Sequence, residues 1–282
     1  MKKLLVSFLL LMFSNISLAD TSVEIVPTST LKGPQGSVAS AVVELSKSAG
    51  FQIKATQKNG CGEAVSYFEN AKDPVAIIWS STMFKNSKES KQNCIINFER
   101  ATPVAVTFSS YDLCVLNGRK LESGKTYKLG NNKFNPQKTQ LEEFNKNRYK
   151  IKFDNVTYAS SGAAVQGLLN KEVDIVYSAT PNAVSAIKAG SIKCLYSTGS
   201  SKYGQQPMSK FIANSPLNDY SLGMMVFVKN LSAKQINDLQ KSLQKGFAKQ
   251  MANKELINSK VAPNKTDVNK FIATAKIYET YN

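Results

Sequence analysis

Residues 153–197 read FDNVTYASSGAAVQGLLNKEVDIVYSATPNAVSAIKAGSIKCLYS, and the reading of this stretch decides the fold. Three short runs rich in Val, Ile and Tyr, near 153–158, 173–177 and 192–196, have the length and composition of strands. Between them, 163–170 and 182–189 carry Ala, Val, Leu and Ile at helical spacing. Strand, helix, strand, helix, strand within 45 residues is the rhythm of parallel pairing with crossover helices.

The rhythm continues outward. Upstream, 23–26 reads as a strand, 28–37 as a Gly/Pro/Ser loop, and 38–48 as a helix with Val38, Val42 and Leu45 on one face. A strand at 51–55, a turn at Asn59-Gly60-Cys61-Gly62 and a helix at 63–71 follow. The unbroken apolar run at 75–79 is of the kind buried on both faces of a sheet. Further strands are predicted at 104–108, 113–116 and 127–129, with polar, Lys/Asn-rich connections over 118–130 and 131–140. Downstream, 224–228 is one more strand. Ser232 is placed to cap a long helix whose Ile236, Leu239, Leu243, Phe247 and Met251 form one stripe. Thr266 or Asp267 is placed to cap a last helix bearing Phe271 and Ile277. With no internal repeat and no low-complexity linker, the fold class is α/β: two lobes, each a mostly parallel sheet flanked by helices, joined by crossing strands.

Composition narrows the chemistry. The 282 residues include 36 Lys+Arg, 20 Asp+Glu and no histidine, for a formal charge of +16. Ser-His-Asp and Cys-His nucleophiles, His-bound metals and imidazole switches are thereby excluded. No G-x-S-x-G elbow, Walker motif or G-x-G-x-x-G after the first strand is present. An exported enzyme on a similar fold would need a lysine or carboxylate base. The excess charge suggests a surface for nucleic acid or another anionic polymer. It is, however, spread over 33 Lys and only 3 Arg with no dense basic run, the pattern of a solvated surface. No cofactor and no metal site is expected.

Lys2 and Lys3 precede a run at 4–13 that is apolar but for Ser7, and Ser17 and Ala19 stand at the positions a signal peptidase reads. Residues 1–19 therefore read as a cleavable signal peptide, too short to span a bilayer. Asp20 in place of cysteine argues against a lipid anchor, so a periplasmic, soluble chain is expected. In an oxidising compartment the four cysteines, Cys61, Cys94, Cys114 and Cys194, are disulfide candidates. Four cysteines allow three connectivities, and the spacing does not choose among them.

Small-polar and glycine clusters recur just after strands and before helices: Ser29-Thr30 with Gly33 and Gly36, Gly60-Cys61-Gly62, Ser80-Ser81-Thr82, Ser160-Ser161-Gly162, and Ser178-Ala179-Thr180. Ligands of open α/β sheets bind beyond the carboxyl ends of the strands. There the first helical N–H groups are unpaired and carry partial positive charge, which suits a carboxylate. Each cluster taken alone would also serve as a helix cap; five on successive turns point to a binding cleft. Trp79 and Asp174 fit either a site or the core.

At these residues the chain resembles the substrate-binding receptors of tripartite tricarboxylate transporters, the TctC or Bug family. The stretch YASSGAAVQGL at 158–168 stands where such receptors carry V-P-Y-K-G-S-A-P-A-L-x-D-L. Val173-Asp174 matches the family's V-D, and Pro181 with Ile187-Lys188-Ala189-Gly190 approaches its I-x-A-G-K-L-R-A-L. Asn59-Gly60-Cys61-Gly62 is similar to its N-x-P-G-A-G-G turn. Two departures stand out: 28–37 lacks the aspartate of the usual P-G-G-P-x-D loop, and Ala159 and Ser160 replace Lys and Gly. Loss of that aspartate removes a partner for a ligand ammonium, so a simple or neutral-tailed acid is expected.

The resemblance implies a monomeric type-II periplasmic binding protein that hands a small organic acid to integral-membrane permease subunits. One lobe would comprise 20–108 plus 220–282, the other 109–219. Cys61 would then pair with Cys94 and Cys114 with Cys194, one bridge per lobe. The ligand would lie against Ser29, Thr30, Gly60, Cys61, Ser80, Ser81 and Thr82 of one lobe, and Ser160, Ser161, Gly162, Thr180 and Pro181 of the other.

Overall fold

The computed structural model describes residues 21–132, 138–199, 202–211 and 222–280; the signal-peptide reading and the lobe boundary at 219/220 fall outside them. In chain order the first part runs β1 (Thr21–Pro27), α1 (Pro34–Ser46), β2 (Phe51–Ala55), α2 (Cys61–Asn70), β3 (Val75–Ser80), α3 (Met83–Ser90) and β4 (Thr102–Ser109). The middle runs β5 (Tyr111–Leu116), β6 (Thr126–Asn132), α4 (Lys138–Arg148), β7 (Lys152–Tyr158), α5 (Ser161–Leu169), β8 (Ile175–Ala179), α6 (Thr180–Lys188), β9 (Ile192–Ser197) and β10 (Gln206–Pro207). The chain then returns through β11 (Leu222–Lys229), α7 (Ala233–Gln244), α8 (Phe247–Asn253), β12 (Leu256–Val261) and α9 (Lys265–Thr280).

Two six-stranded sheets result, ordered β12-β4-β11-β3-β1-β2 and β10-β9-β5-β8-β6-β7. This is the two-lobed α/β architecture expected, but the sheets are mixed rather than mostly parallel. The βα units pair in parallel, as β1 does with β2 and β3, and β6 with β7 and β8. Strands that begin at the crossing between the sheets run the other way. β5 leaves the crossing antiparallel to β8 and β9, and β11 starts at it antiparallel to β3 and β4. The expectation of parallel order assumed every strand belongs to a βα unit; the strands next to the crossing do not.

β3 shows why the sequence commits to this packing. All six of its residues are buried, and alternation sends them to opposite faces. Ala76 and Ile78 enter a core with Val38 and Val42 of α1, Leu239 and Leu243 of α7, and Phe247 and Met251 of α8. Val75, Ile77 and Trp79 enter a second core with Val65 and Phe68 of α2, Met83 of α3 and Phe271 of α9. Trp79 is core: it has no exposed surface, its Nε1 donates to the Cys94 carbonyl at 2.8 Å, and its ring meets Phe84, Phe98 and Phe271 edge-on. β8 divides in the same way, Ile175 and Tyr177 facing one core and Val176 the other.

Several local readings change. The long C-terminal helix is two helices, broken around Gly246. The last helix is capped by Asn264, not by Thr266 or Asp267: the Asp267 amide donates to Asn264 Oδ1 and the Asn264 amide to Asp267 Oδ2, both at 2.9 Å. The stretch at 131–140 is not simply a connection, since β6 extends to Asn132 and α4 begins at Lys138. Asp174 is structural, pairing with Arg119 at 2.8 Å and accepting the Lys128 amide. The cysteines pair as Cys61–Cys94 and Cys114–Cys194, the latter bridging β5 and β9. Among the described residues no helix is long and apolar enough to cross a membrane.

Candidate functional site

A cleft of about 340 Å³ opens where the carboxyl ends of the βα strands from both sheets meet. Four helices begin at its wall. From the first sheet come Gly33, Pro34 and Gln35 at the start of α1, and Thr82 and Met83 at the start of α3. From the second come Ser160, Ser161 and Gly162 at the start of α5, and Ala179 and Asn182 at the start of α6. Tyr111 and Leu222, the first residues of β5 and β11, lie at the crossing and complete the lining with Asn86, Asn132, Ser29, Thr30, Lys32, Ser80 and Ala159.

The loop between β1 and α1 is tightly built. Thr28 Oγ1 donates to the Ile78 carbonyl at 3.0 Å and accepts Gln35 Nε2 at 3.2 Å, while Gln35 Oε1 accepts the Ser29 amide at 3.1 Å. Gln57, beyond β2, accepts the Leu31 amide and donates to the Ser29 carbonyl, each at 2.6 Å. Gly33 has φ +107°, a region L side chains avoid. At Gly36, a Cβ would lie 1.7 Å from the Leu31 carbonyl oxygen, so only glycine lets the helix begin against this loop.

Opposite it, the Ser160 hydroxyl accepts the Ala163 amide at 3.1 Å, capping α5. Ser80 and Thr82 hydroxyls lie 3.0 Å apart, and Asn86 donates to Thr82 Oγ1 at 3.4 Å. Asn132 donates to Ser161 Oγ at 3.2 Å. The buried Tyr111 phenol is pushed above its ordinary range by desolvation, with the Ser161 hydroxyl as its partner, and so stays neutral.

The electrostatics follow from what lines the wall. Among the described residues it contains no Asp or Glu and one cation, Lys32. Four helix N-termini, each adding partial positive charge, face the same space with short hydroxyl and amide groups between them. The arrangement offers many donors, no nucleophile–base pair and no set of metal-binding side chains. It can hold a small anion.

The cleft brings together Ser29, Thr30, Ser80, Thr82, Ser160, Ser161 and Gly162. Other candidates from the sequence lie outside its lining. Gly60 and Cys61 start α2, where Cys61 is bonded to Cys94 and the Asn59 amide donates to Glu63. Ser81 faces the sheet and ties β3 to β11, its hydroxyl accepting the Gly223 amide at 3.0 Å. The Thr180 hydroxyl donates to the Ser110 carbonyl at 3.1 Å beside the crossing, and Pro181 opens α6 without touching the cleft. Reading only strand-end clusters overlooked Gln35, Asn86 and Asn182, which lie one turn or less inside their helices. It also overlooked Asn132, Tyr111 and Leu222, for which no local signal exists.

No protein-family model matches the sequence, and no curated protein matches it. Solved structures do. A TctC solute binding protein from Polaromonas aligns over 93% of this chain and 98% of its own, with TM-score 0.62 and 13% identity. MatC from Rhodopseudomonas palustris, with bound malate, aligns over 92% and 97% with TM-score 0.64 and 15% identity. A further R. palustris protein, with adipate, aligns over 95% and 97% with TM-score 0.66 and 14% identity. At these identities the likeness is one of fold, and it extends over more than nine-tenths of the chain.

Proposed function

We propose that the chain is a periplasmic solute receptor of the tripartite tricarboxylate transporter type. In this reading it captures a small carboxylate in the cleft and delivers it to integral-membrane permease subunits, without turnover and without a cofactor. The observation that carries the reading is the convergence of four helix N-termini on one cleft whose lining, among the described residues, holds no acid. The malate and adipate of two proteins with the same fold are ligands of the chemistry such a wall selects.

The ligand would rest on the Ser29, Thr30, Ser80 and Thr82 side of one lobe and the Ser160–Gly162 side of the other. Backbone N–H groups, hydroxyls and bridging water would hold its carboxylate. The lobes would divide at 109 and again near 220, a division supported by β4 ending at Ser109 in one sheet and β5 starting at Tyr111 in the other. The reading includes export by the signal peptide at 1–19, a soluble monomeric form without a lipid anchor, and no nucleic-acid partner.

A thermal-shift screen tests the binding claim. Protein stripped of carried-over ligand is expected to gain melting temperature with at least one di- or tricarboxylate, in proportion to ln(1 + [L]/Kd). A flat response to all organic acids would count against it.

A further inference from the structure

Among the described residues the lining of the cleft contains one charged side chain, and it is Lys32. Among the described residues nothing pairs with its ammonium. Its backbone is nevertheless fixed: the Lys32 amide donates to Thr30 Oγ1 at 2.8 Å, and Gln57 holds Leu31 on its other side at 2.6 Å. The next residue, Gly33, faces the opposite lobe so closely that a Cβ there would lie 3.6 Å from Asn182 Oδ1. The ammonium is therefore carried on a braced loop one residue before the cap of α1, beside a point where the two walls come close: Asn182 Oδ1 lies within 4 Å of a Cβ built at either Gly33 or Gly162. Apolar surface from Met83, Leu222 and Ala159 is also part of the lining.

A wall with two kinds of positive site and an apolar lining fits a molecule with an anionic group at each end. We infer that Lys32 is a specificity-determining residue that selects small organic dianions over monoacids of the same length. One carboxylate rests on the helix N-termini, and the other meets the Lys32 ammonium. The inference rests on the carboxylate-receptor reading above and sharpens it. The missing loop aspartate suggested only a simple or neutral-tailed acid, whereas Lys32 supplies a partner for a second negative charge.

The test is calorimetric titration of the full chain with three length-matched pairs: succinate and butyrate, glutarate and valerate, adipate and hexanoate. Wild type is expected to bind at least one diacid about tenfold or more tighter than its monoacid. Lys32→Gln is expected to remove most of that gap by weakening the diacid far more than the monoacid. Lys32→Arg is expected to retain the gap, and added salt to narrow it in wild type. Since Lys32 is exposed, both variants are expected to fold, which circular dichroism checks. If monoacids bind as well as diacids, or Lys32→Gln leaves the ratio unchanged, the assignment of Lys32 is wrong while the carboxylate reading stands. If none of the six acids binds wild type, the assignment of Lys32 falls, while the carboxylate reading is decided separately by the thermal-shift screen.

Discussion

Asp112 is a residue whose behaviour can be stated in advance. It sits fully buried at the start of β5, and desolvation, the leading cause, raises its carboxyl to about 6. The Ser197 and Thr180 hydroxyls and Gln205 pull in the other direction, and the nearby Glu255 charge adds to the rise. A carboxyl raised in the folded state binds its proton more tightly there than in the unfolded chain. Its contribution to stability is therefore undiminished below the ordinary carboxylate range and is lost as pH rises from about 4 to about 6. Denaturant unfolding of wild type against Asp112→Asn is expected to show wild type losing ground to the variant across that window, with a constant difference above it. A difference independent of pH would contradict the assigned burial. Asp112 stood in the sequence as an ordinary acid after an apolar strand; only the tertiary contacts that bury it show what it is.

At the scale of elements, legibility depended on whether an element's own residues carried its reason for forming. β3 was legible because 75–79 is a continuous apolar run, β8 because Ile175, Val176 and Tyr177 are strand-forming residues between two helical stretches, and α5 because Ser160 caps it and its Ala164, Val165 and Leu168 face a core. α3 was implied only by the Ser80–Thr82 cluster and given no bounds, because its sequence, MFKNSKES, is polar after its first turn. β12 was overlooked because it is an edge strand with alternating exposure, held by its pairing with β4. The cleft was half legible for the same reason: turn clusters are local, whereas the crossing that adds Tyr111 and Leu222 is not. The β1–α1 loop gives an element-scale prediction. Gly36→Ala places a methyl against the Leu31 backbone, so the loop must shift. The variant is expected to lose about 1–3 kcal/mol and also to weaken binding of whatever carboxylate wild type takes. The Cys61–Cys94 bridge closes a 33-residue separation around α2 and α3, and replacing both cysteines by alanine is expected to lower stability by about 2–4 kcal/mol. Unchanged melting behaviour of that double variant would mean the bridge is not formed in solution.

Across the whole molecule, the two lobes are tied together beside the crossing. Glu255, buried between α8 and β12, accepts both oxygens' worth of contact from Lys202 at 2.9 and 3.0 Å and a hydrogen bond from the Tyr203 phenol at 2.5 Å. Lys202 and Tyr203 follow β9 in the second sheet, while Leu256, next to Glu255, pairs with Ser109 at the end of β4 in the first. Glu255→Gln is expected to speed amide exchange at 202–207 and 255–257 while the central strands of both sheets keep their protection; uniform loss of protection would mean the contact supports folding rather than the joint. The high positive charge of the chain gives a prediction at this scale as well: if its field speeds capture of acidic ligands, the ligand on-rate is expected to fall with added salt, and an on-rate insensitive to ionic strength would contradict that role. The central claim, that the cleft takes a carboxylate, is most directly tested by calorimetry with the acid that gives the largest thermal shift. Wild type and Ala159→Trp should be compared, since Ala159 lines the cleft on its exposed side and an indole there fills it. One-to-one binding to wild type and none to the folded variant is the expected result. Equal binding to both would place the acid elsewhere and contradict the account.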